Sequence, residues 1–440
     1  MRQVSVILLA LMAASLRCPA EEATEEATVV PHGRLEKLNG YTVVSVEGTP
    51  EEMGTAYGRL LGPTIRRVLD DLLLKGIGAE PEALKNLLVG SKTMEKCQPR
   101  EYLDELRSVA VAADVPYEQL ALLQYYGDVR RCTRGAGNAM FCTSFAILPP
   151  LTREAVCLVG RNFDYYDHGV GAYASILAYY RPKGRIPFVT VTWAGVTNGW
   201  TLLNEKGVAV SFNIVAGSRS ETLEAISTCF LLRHVAERAE SVEQGIELVT
   251  KASRACGTNL LVAQGNPPDA ALIEFDHAKL VIRRPADGFV GAANNFMALY
   301  QENDPAASEH QGRIGVARNL ALAGGGELDF GANIAGADGV PINGMNLHSA
   351  TIDATNRRLK VAMGTIPACE LPYRAFRLTD KGLEADPAAN QNPPAKAPLL
   401  PTGFWRSRDL LLRGVLPCVA VIAFYVLVKQ WRKSRLASKT

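Results

Sequence analysis

The residues that could do chemistry gather in one stretch of the chain. Met140-Phe141-Cys142-Thr143-Ser144-Phe145-Ala146 sets a thiol and two hydroxyls at the start of a strand-like run. Gly160-Arg161-Asn162-Phe163-Asp164 follows beyond a Pro149-Pro150 turn. Read as a hairpin, with Cys142 to Leu148 running out and Ala155 to Val159 running back, the pattern carries an arginine and a carboxylate to the side of the thiol. A neighbouring cation favours thiolate, the nucleophilic form of cysteine, and no histidine is needed nearby. The same residues also fit a buried strand cysteine beside a salt-bridged turn. Arg161 and Asp164 are three positions apart and a regular strand points them to opposite faces, so one shared site requires a bulge or strand end near Gly160.

Other chemistries find little support. The chain has no GxxxxGK[ST], no HExxH and no CxxC. His234-Val-Ala-Glu237 reads as a solvated helix face, and Gly135-Ala-Gly137 as a loop that lacks the third glycine of a dinucleotide fingerprint. Neither a metal nor a cofactor is expected. With 47 basic against 45 acidic residues, a net charge of +2 gives no electrostatic case for a nucleic-acid partner.

The elements that must position Cys142 are α and β in sequence blocks. From His32 to Arg131 the pattern is mainly helical after a short strand at Tyr41 to Val46. Thr49-Pro50-Glu51-Glu52 is a helix start, with a hydroxyl cap, proline at the first position and acids at the positive dipole end. Further helices fit Pro81 to Val89, Glu101 to Ala113 and Pro116 to Tyr126. After Cys142 the period changes to two, with strands at Ile176 to Tyr180, Phe188 to Trp193, Gly199 to Leu203 and Val208 to Val215. Helices then fit Glu221 to Ala239 and Val242 to Ser253. Strands return at Asn259 to Ala263, Ala271 to Phe275, Leu280 to Arg283 and Ala350 to Met363, with a glycine-rich loop over Gly324 to Gly344. Strands, paired helices and strands again predict layered sheets with helices outside.

The two ends differ from this middle. Residues 1–20 read as a signal peptide and the stretch after them as an acidic stub. Residues 386–409 form a Pro/Ala/Asn-rich stalk. Residues 410–428, about 19 residues at 1.5 Å each, make about 28 Å of apolar helix, one hydrocarbon thickness. Lys429, Arg432, Lys433 and Arg435 in the tail 429–440 then place the C-terminus in the cytoplasm. The expectation is a single-pass membrane protein with its main domain outside the cytoplasm. Nine cysteines, less Cys18 and Cys418 in these end segments, leave seven, an odd number with at least one thiol unpaired within the chain.

Cys142-Thr143-Ser144 followed by Gly160-Arg161-Asn162-x-Asp164 resembles the cysteine Ntn-hydrolases. This superfamily includes choloylglycine hydrolase, acid ceramidase and the peptidase C45 or penicillin acyltransferase group. Thr49-Pro50-Glu51-Glu52-Met53-Gly54 is similar to the leader of the acyltransferase group. Leu203-Asn204-Glu205-Lys206-Gly207-Val208, Phe212-Asn213, Ala293-Asn294 and Arg313 follow in the family's order, from about Gly40 to Pro372.

The resemblance implies a four-layer αββα sandwich with a helical leader, residues 21–141 including the stub, and a catalytic region over residues 142–385. It implies self-cleavage before Cys142, so that the new α-amine, with a pKa near 7.7–8.0, serves as the base. The family roles fall on Cys142 as nucleophile, Asp164 holding the amine, and Arg161 against thiol and carboxylate. Asn213 and Asn294 (or Asn295, one residue on) would be oxyanion donors, and Arg313 (or Arg318) the downstream arginine. The implied activity is hydrolysis or acyl transfer at an N-acyl amide through a Cys142 thioester, with leader and catalytic fragments staying associated. Trp193, Trp200, Tyr165 and Tyr166 are candidates to line the site. Two other readings keep their place: a Cys–His protease using His277 or His348, and a membrane-tethered binding module without catalysis.

Overall fold

Two packed β-sheets with helices on both outer faces form the protein. The computed structural model describes residues 26–77, 79–134, 142–300, 307–336, 340, 342–392 and 399–400. The stretches read as signal peptide and as membrane span with a basic tail, most of the stretch read as a stalk, Gly135-Ala-Gly137 and Phe141 lie outside the described residues. Among the described residues no helix is long and apolar enough to cross a membrane.

The larger sheet has ten strands, in spatial order 28–30, 33–38, 41–48, 175–182, 188–193, 201–204, 208–214, 258–264, 269–275 and 280–283. The smaller has seven, in order 289–292, 143–147, 158–164, 346–353, 358–363, 374–379 and 382–385. Every pairing within them is antiparallel except that of Tyr41–Gly48 with Ser175–Pro182, which is parallel. Alternate residues of both sheets, among them Leu177, Val191 and Leu261 from one and Val159, Ile352 and Val361 from the other, fill the space between. The outer face of the ten-stranded sheet carries the leader helices together with Thr228–Ala236 and Val242–Lys251. The outer face of the seven-stranded sheet carries Ala307–Ala323. Helix, sheet, sheet and helix layers give a mixed α/β sandwich of the expected order.

The leader is less helical than its pattern predicts. Three strands, Thr28–Val30, Gly33–Leu38 and Tyr41–Gly48, form one end of the ten-stranded sheet, and only the last was legible. The predicted helix start is realised as a capping box: Glu52 N–H donates to Thr49 Oγ1 at 3.3 Å, and Thr49 N–H donates to Glu52 Oε2 at 2.7 Å. The helix Pro50–Val68 packs closely on Arg100–Ala113. Gly54 and Gly58 make that approach possible, since a Cβ at either would meet the carbonyl oxygen of Glu105 or Val109. The other helices run longer than their sequence signals, as Pro81–Glu95 and Tyr117–Arg134.

Two further readings are corrected. The helix expected over Glu221 to Ala239 is shortened to Thr228–Ala236, capped by Ser227 Oγ, which accepts from Phe230 N–H at 3.3 Å. Glu237 is not on a solvated face. It is buried and accepts hydrogen bonds from Arg233 Nε at 2.7 Å and Tyr102 Oη at 2.8 Å.

Candidate active site

The predicted hairpin is present as Thr143–Ile147 and Leu158–Asp164, antiparallel, with Ser144 opposite Arg161 and Thr143 opposite Asn162. Every residue of both strands is buried. Gly160 lies under the Phe145 ring, which occupies the space a Cβ would need. Asp164 ends its strand, so the strand end is there rather than at Gly160. The irregularity lies on the neighbouring strand, between Asn346 and His348, where the register with Asp164 and Phe163 shifts.

Cys142 stands at the head of the first hairpin strand, 2% exposed. Its Sγ lies 3.7 Å from the Asp164 carbonyl oxygen. Its own carbonyl accepts from Arg313 Nη1 at 2.8 Å, and the same nitrogen reaches Thr143 Oγ1 at 3.1 Å. Arg161 is fully buried, and its Nη1 donates to Asn213 Oδ1 at 2.7 Å and to Ser144 Oγ at 3.2 Å. Burial lowers the Arg161 pKa from its usual value, while Cys142 and then Asp164 favour the charged form. A cation is thus held beside the thiol in a dry interior, where water screens it least.

Asn213 joins the two sheets. Its Oδ1 accepts from Ser144 Oγ at 2.5 Å as well as from Arg161, and its Nδ2 donates to the Ala292 carbonyl at 2.6 Å. Asn294 Nδ2 donates to the Ile214 carbonyl at 2.7 Å, and Asn294 Oδ1 accepts from Arg313 Nη2 at 3.3 Å. Both side-chain amide nitrogens are therefore engaged with backbone carbonyls. Asn295 lies off this network, its Nδ2 donating to the Phe296 carbonyl at 3.1 Å. Arg318 is on the surface with Asp287, at 2.9 Å.

Sequence reasoning missed Asn346, whose Nδ2 donates to Asp164 Oδ1 at 2.8 Å and whose Oδ1 accepts from Cys369 N–H at 3.0 Å. The signal was present: Asn346, His348 and Ser349 are polar residues in the run leading into the predicted strand at Ala350, and buried polar side chains in a strand need partners. Ser144 was quoted in the motif without its link to Asn213.

An aromatic wall adjoins Arg161. Phe163 stacks on Trp200 with ring centroids 4.9 Å apart and on Tyr165 at 6.4 Å, and Trp193 meets Trp200 edge-on at 5.2 Å. The Arg161 guanidinium lies 5.0 Å from the Phe163 centroid. Tyr166 packs edge-on against Tyr165 and is exposed.

His348 belongs to the same wall, 5.3 Å from Phe163, with Nε2 paired to Thr201 Oγ1 at 2.8 Å. His277 Nδ1 lies 3.0 Å from the Arg254 carbonyl. Among the described residues no histidine hydrogen-bonds the Cys142 thiol. Burial, and next Arg161, push the His348 pKa well below its ordinary value. The unfolded chain therefore takes up a proton near pH 6.5 that the folded chain refuses, so stability is present above that pH and falls as pH drops below it. Urea titrations from pH 6 to pH 5 are expected to show wild type losing about 1.2 kcal/mol more than His348→Gln. Equal losses would count against this placement.

A buried thiol at the head of a strand, with Arg161 and the Asp164 backbone beside it in a mixed α/β sandwich, makes a cysteine-centred candidate site. Residues 152–323 match the family described as acyl-coenzyme A:6-aminopenicillanic acid acyl-transferase, and over that span the chain is similar to it. The matched span begins after Cys142 and includes Arg161, Asp164, Asn213, Asn294 and Arg313. An uncharacterised protein of Archaeoglobus fulgidus is 23% identical over 279 residues, 58% of this chain and 47% of its own length. Protein dcd1A of Dictyostelium discoideum is 19% identical over 281 residues, 56% of this chain and 62% of its own. The chain thus spans about half of the first of these relatives and under two thirds of the second. Among solved structures, the Caenorhabditis elegans N-acylethanolamine-hydrolyzing acid amidase ortholog is 14% identical and covers 49% of this chain and 93% of its own, with a TM-score of 0.36.

Proposed function

We propose that the protein is a self-processing hydrolase or acyltransferase acting on N-acyl amides, with Cys142 as nucleophile. The observation that carries this reading is the buried Cys142 thiol held beside the Arg161 cation, with Arg313 on the Cys142 carbonyl. Cleavage of the 141–142 peptide bond would free the Cys142 α-amine, which takes the thiol proton. The sulfur then attacks the carbonyl carbon of the substrate amide, the C–N bond breaks, and the amine leaves with that proton. Water or a second amine resolves the thioester and returns the thiol. Asp164, fixed by Asn346, holds the amine. The geometry of Asn213 supports a positioning role, because its oxygen aligns Arg161 and Ser144 and its nitrogen anchors Ala292. Asn294 positions Arg313 in the same way.

The aromatic wall of Phe163, Trp200 and Tyr165 suits an apolar acyl chain, and a membrane-tethered ectodomain suits a lipid-like one. In the same reading the domain faces away from the cytoplasm on its stalk and span, and the leader stays bound after cleavage. Support for the last point is the leader's place inside the larger sheet. Mass analysis of the purified protein tests processing, with a fragment beginning at Cys142 expected. Release of free amine is then measured with N-acyl amino acids, N-acylethanolamines, bile-salt conjugates and penicillins. An intact chain that liberates no amine from any of the four would end the proposal.

A further inference from the structure

A second pair of thiols lies outside the site just described. Cys132 sits near the end of the leader helix Tyr117–Arg134, and Cys256 in the segment that leads into the strand Thr258–Gln264. Their sulfur atoms are 3.5 Å apart. Cys256 is buried, whereas Cys132 is partly exposed. The surrounding contacts hold the two segments together: Arg131 Nη1 donates to the Gly257 carbonyl at 2.9 Å, and its Nη2 pairs with Glu221. Cys132, Cys256 and Glu221 offer three ligand atoms within 4.8 Å of one another. Arg131 already occupies the Glu221 carboxylate, and its positive charge opposes a metal cation there. Two thiols in near contact, one of them reachable from solvent, suit oxidation better.

We propose that Cys132 and Cys256 form a disulfide that joins the leader to the catalytic region across the processing loop. The covalent tether between two fragments rests on the self-cleavage proposed above, whereas the bond itself does not. The oxidant is a disulfide, either glutathione disulfide or a protein disulfide. Cys132 thiolate attacks one oxidant sulfur and expels a thiolate, giving a mixed disulfide. Cys256 thiolate then attacks the Cys132 sulfur, the Cys132–Cys256 bond forms and the second oxidant thiolate leaves. Two thiols are oxidised, one disulfide is reduced to two thiols, and the two protons of Cys132 and Cys256 end on the two expelled thiolates. Cys132 is the partly exposed thiol and so reacts first, while the Cys132 contact and then burial raise the Cys256 pKa.

The test uses the full chain equilibrated with glutathione disulfide, alkylated without reduction, digested and analysed by mass spectrometry. The expected product is a peptide pair linked through Cys132 and Cys256, with the free-thiol count lowered by two. Cys132→Ser and Cys256→Ser each abolish that pair. On a denaturing gel the processed wild type runs as one species without reductant and as two with it, whereas Cys132→Ser runs as two in both. A linked peptide in a chain that stays single after reduction keeps the bond and removes the processing reading. Full alkylation of both cysteines after oxidation overturns the proposal. So does protection of both that is lost on chelation, which would signal a bound metal.

Discussion

Cys142→Ala is expected to abolish both self-cleavage and amine release, with turnover falling at least about 10³-fold, because no other group replaces a lost covalent nucleophile. The side chain is small and buried, so removing one sulfur leaves the fold intact, and unchanged far-UV circular dichroism is the control. Intact mass reports the first effect, since the variant stays at full length. Amine release with the best N-acyl substrate reports the second. Cys142→Ser separates the two roles, because a hydroxyl keeps the nucleophile's geometry but is far harder to deprotonate than a thiol. Amine release at the wild-type rate from Cys142→Ala would remove Cys142 as the nucleophile.

Arg233→Met is expected to destabilise the protein by about 3–5 kcal/mol, the usual cost of taking one partner from a buried ionic cluster. Arg233 donates from Nη1 to Glu105 Oε1 at 2.9 Å and from Nη2 to Glu105 Oε2 at 2.5 Å. Its Nε donates to Glu237, and all three side chains are 3% exposed or less. Glu105 precedes Cys142 in the chain and Arg233 follows it, so the cluster bridges the two sides of the proposed cleavage point. Burial raises the Glu105 pKa, and Arg233 is the group that opposes the rise. Without the arginine, the folded-state pKa of Glu105 climbs further above its unfolded value of about 4.3. Stability is then retained below that value and lost as pH rises through the folded pKa. Denaturant titrations are therefore expected to show a larger deficit at pH 8 than at pH 5. Replacing Glu105, Arg233 and Glu237 together with apolar residues is expected to restore much of the stability. A loss under 1 kcal/mol in Arg233→Met would show that the cluster contributes little.

The residues that gather around Cys142 were more legible in the sequence than their supports were. Alternation and a double proline located the hairpin that pairs Ser144 with Arg161, and the order of motifs located Asn213, Asn294 and Arg313. The helix that carries Arg313, Ala307–Ala323, had no readable signal, because its mix of alanine, glycine and scattered polar residues makes no apolar stripe. The leader strands Thr28–Val30 and Gly33–Leu38 are half exposed at a sheet end, where hydrophobic alternation is weak. Glu237 looked like surface because local sequence does not show that Tyr102, remote in the chain, joins Arg233 and Arg238 on its carboxylate. Asn346 was passed over for the same reason: its partners, Asp164 and Cys369, are distant in sequence.

Pairing of Tyr41–Gly48 with Ser175–Pro182 sets an order of events during synthesis. The leader leaves the ribosome first and can present a folded template strand before residues 175–182 emerge. A gene divided at Cys142 and expressed as its second half alone would leave Ile176, Leu177, Ala178, Tyr179 and Tyr180 along an unprotected sheet margin, all of them buried in the whole protein. Such a margin recruits strands from other copies and leads to aggregation. The segment before Cys142 is therefore expected to be needed while the rest of the chain folds, so a recombinant route in two pieces has to supply both together.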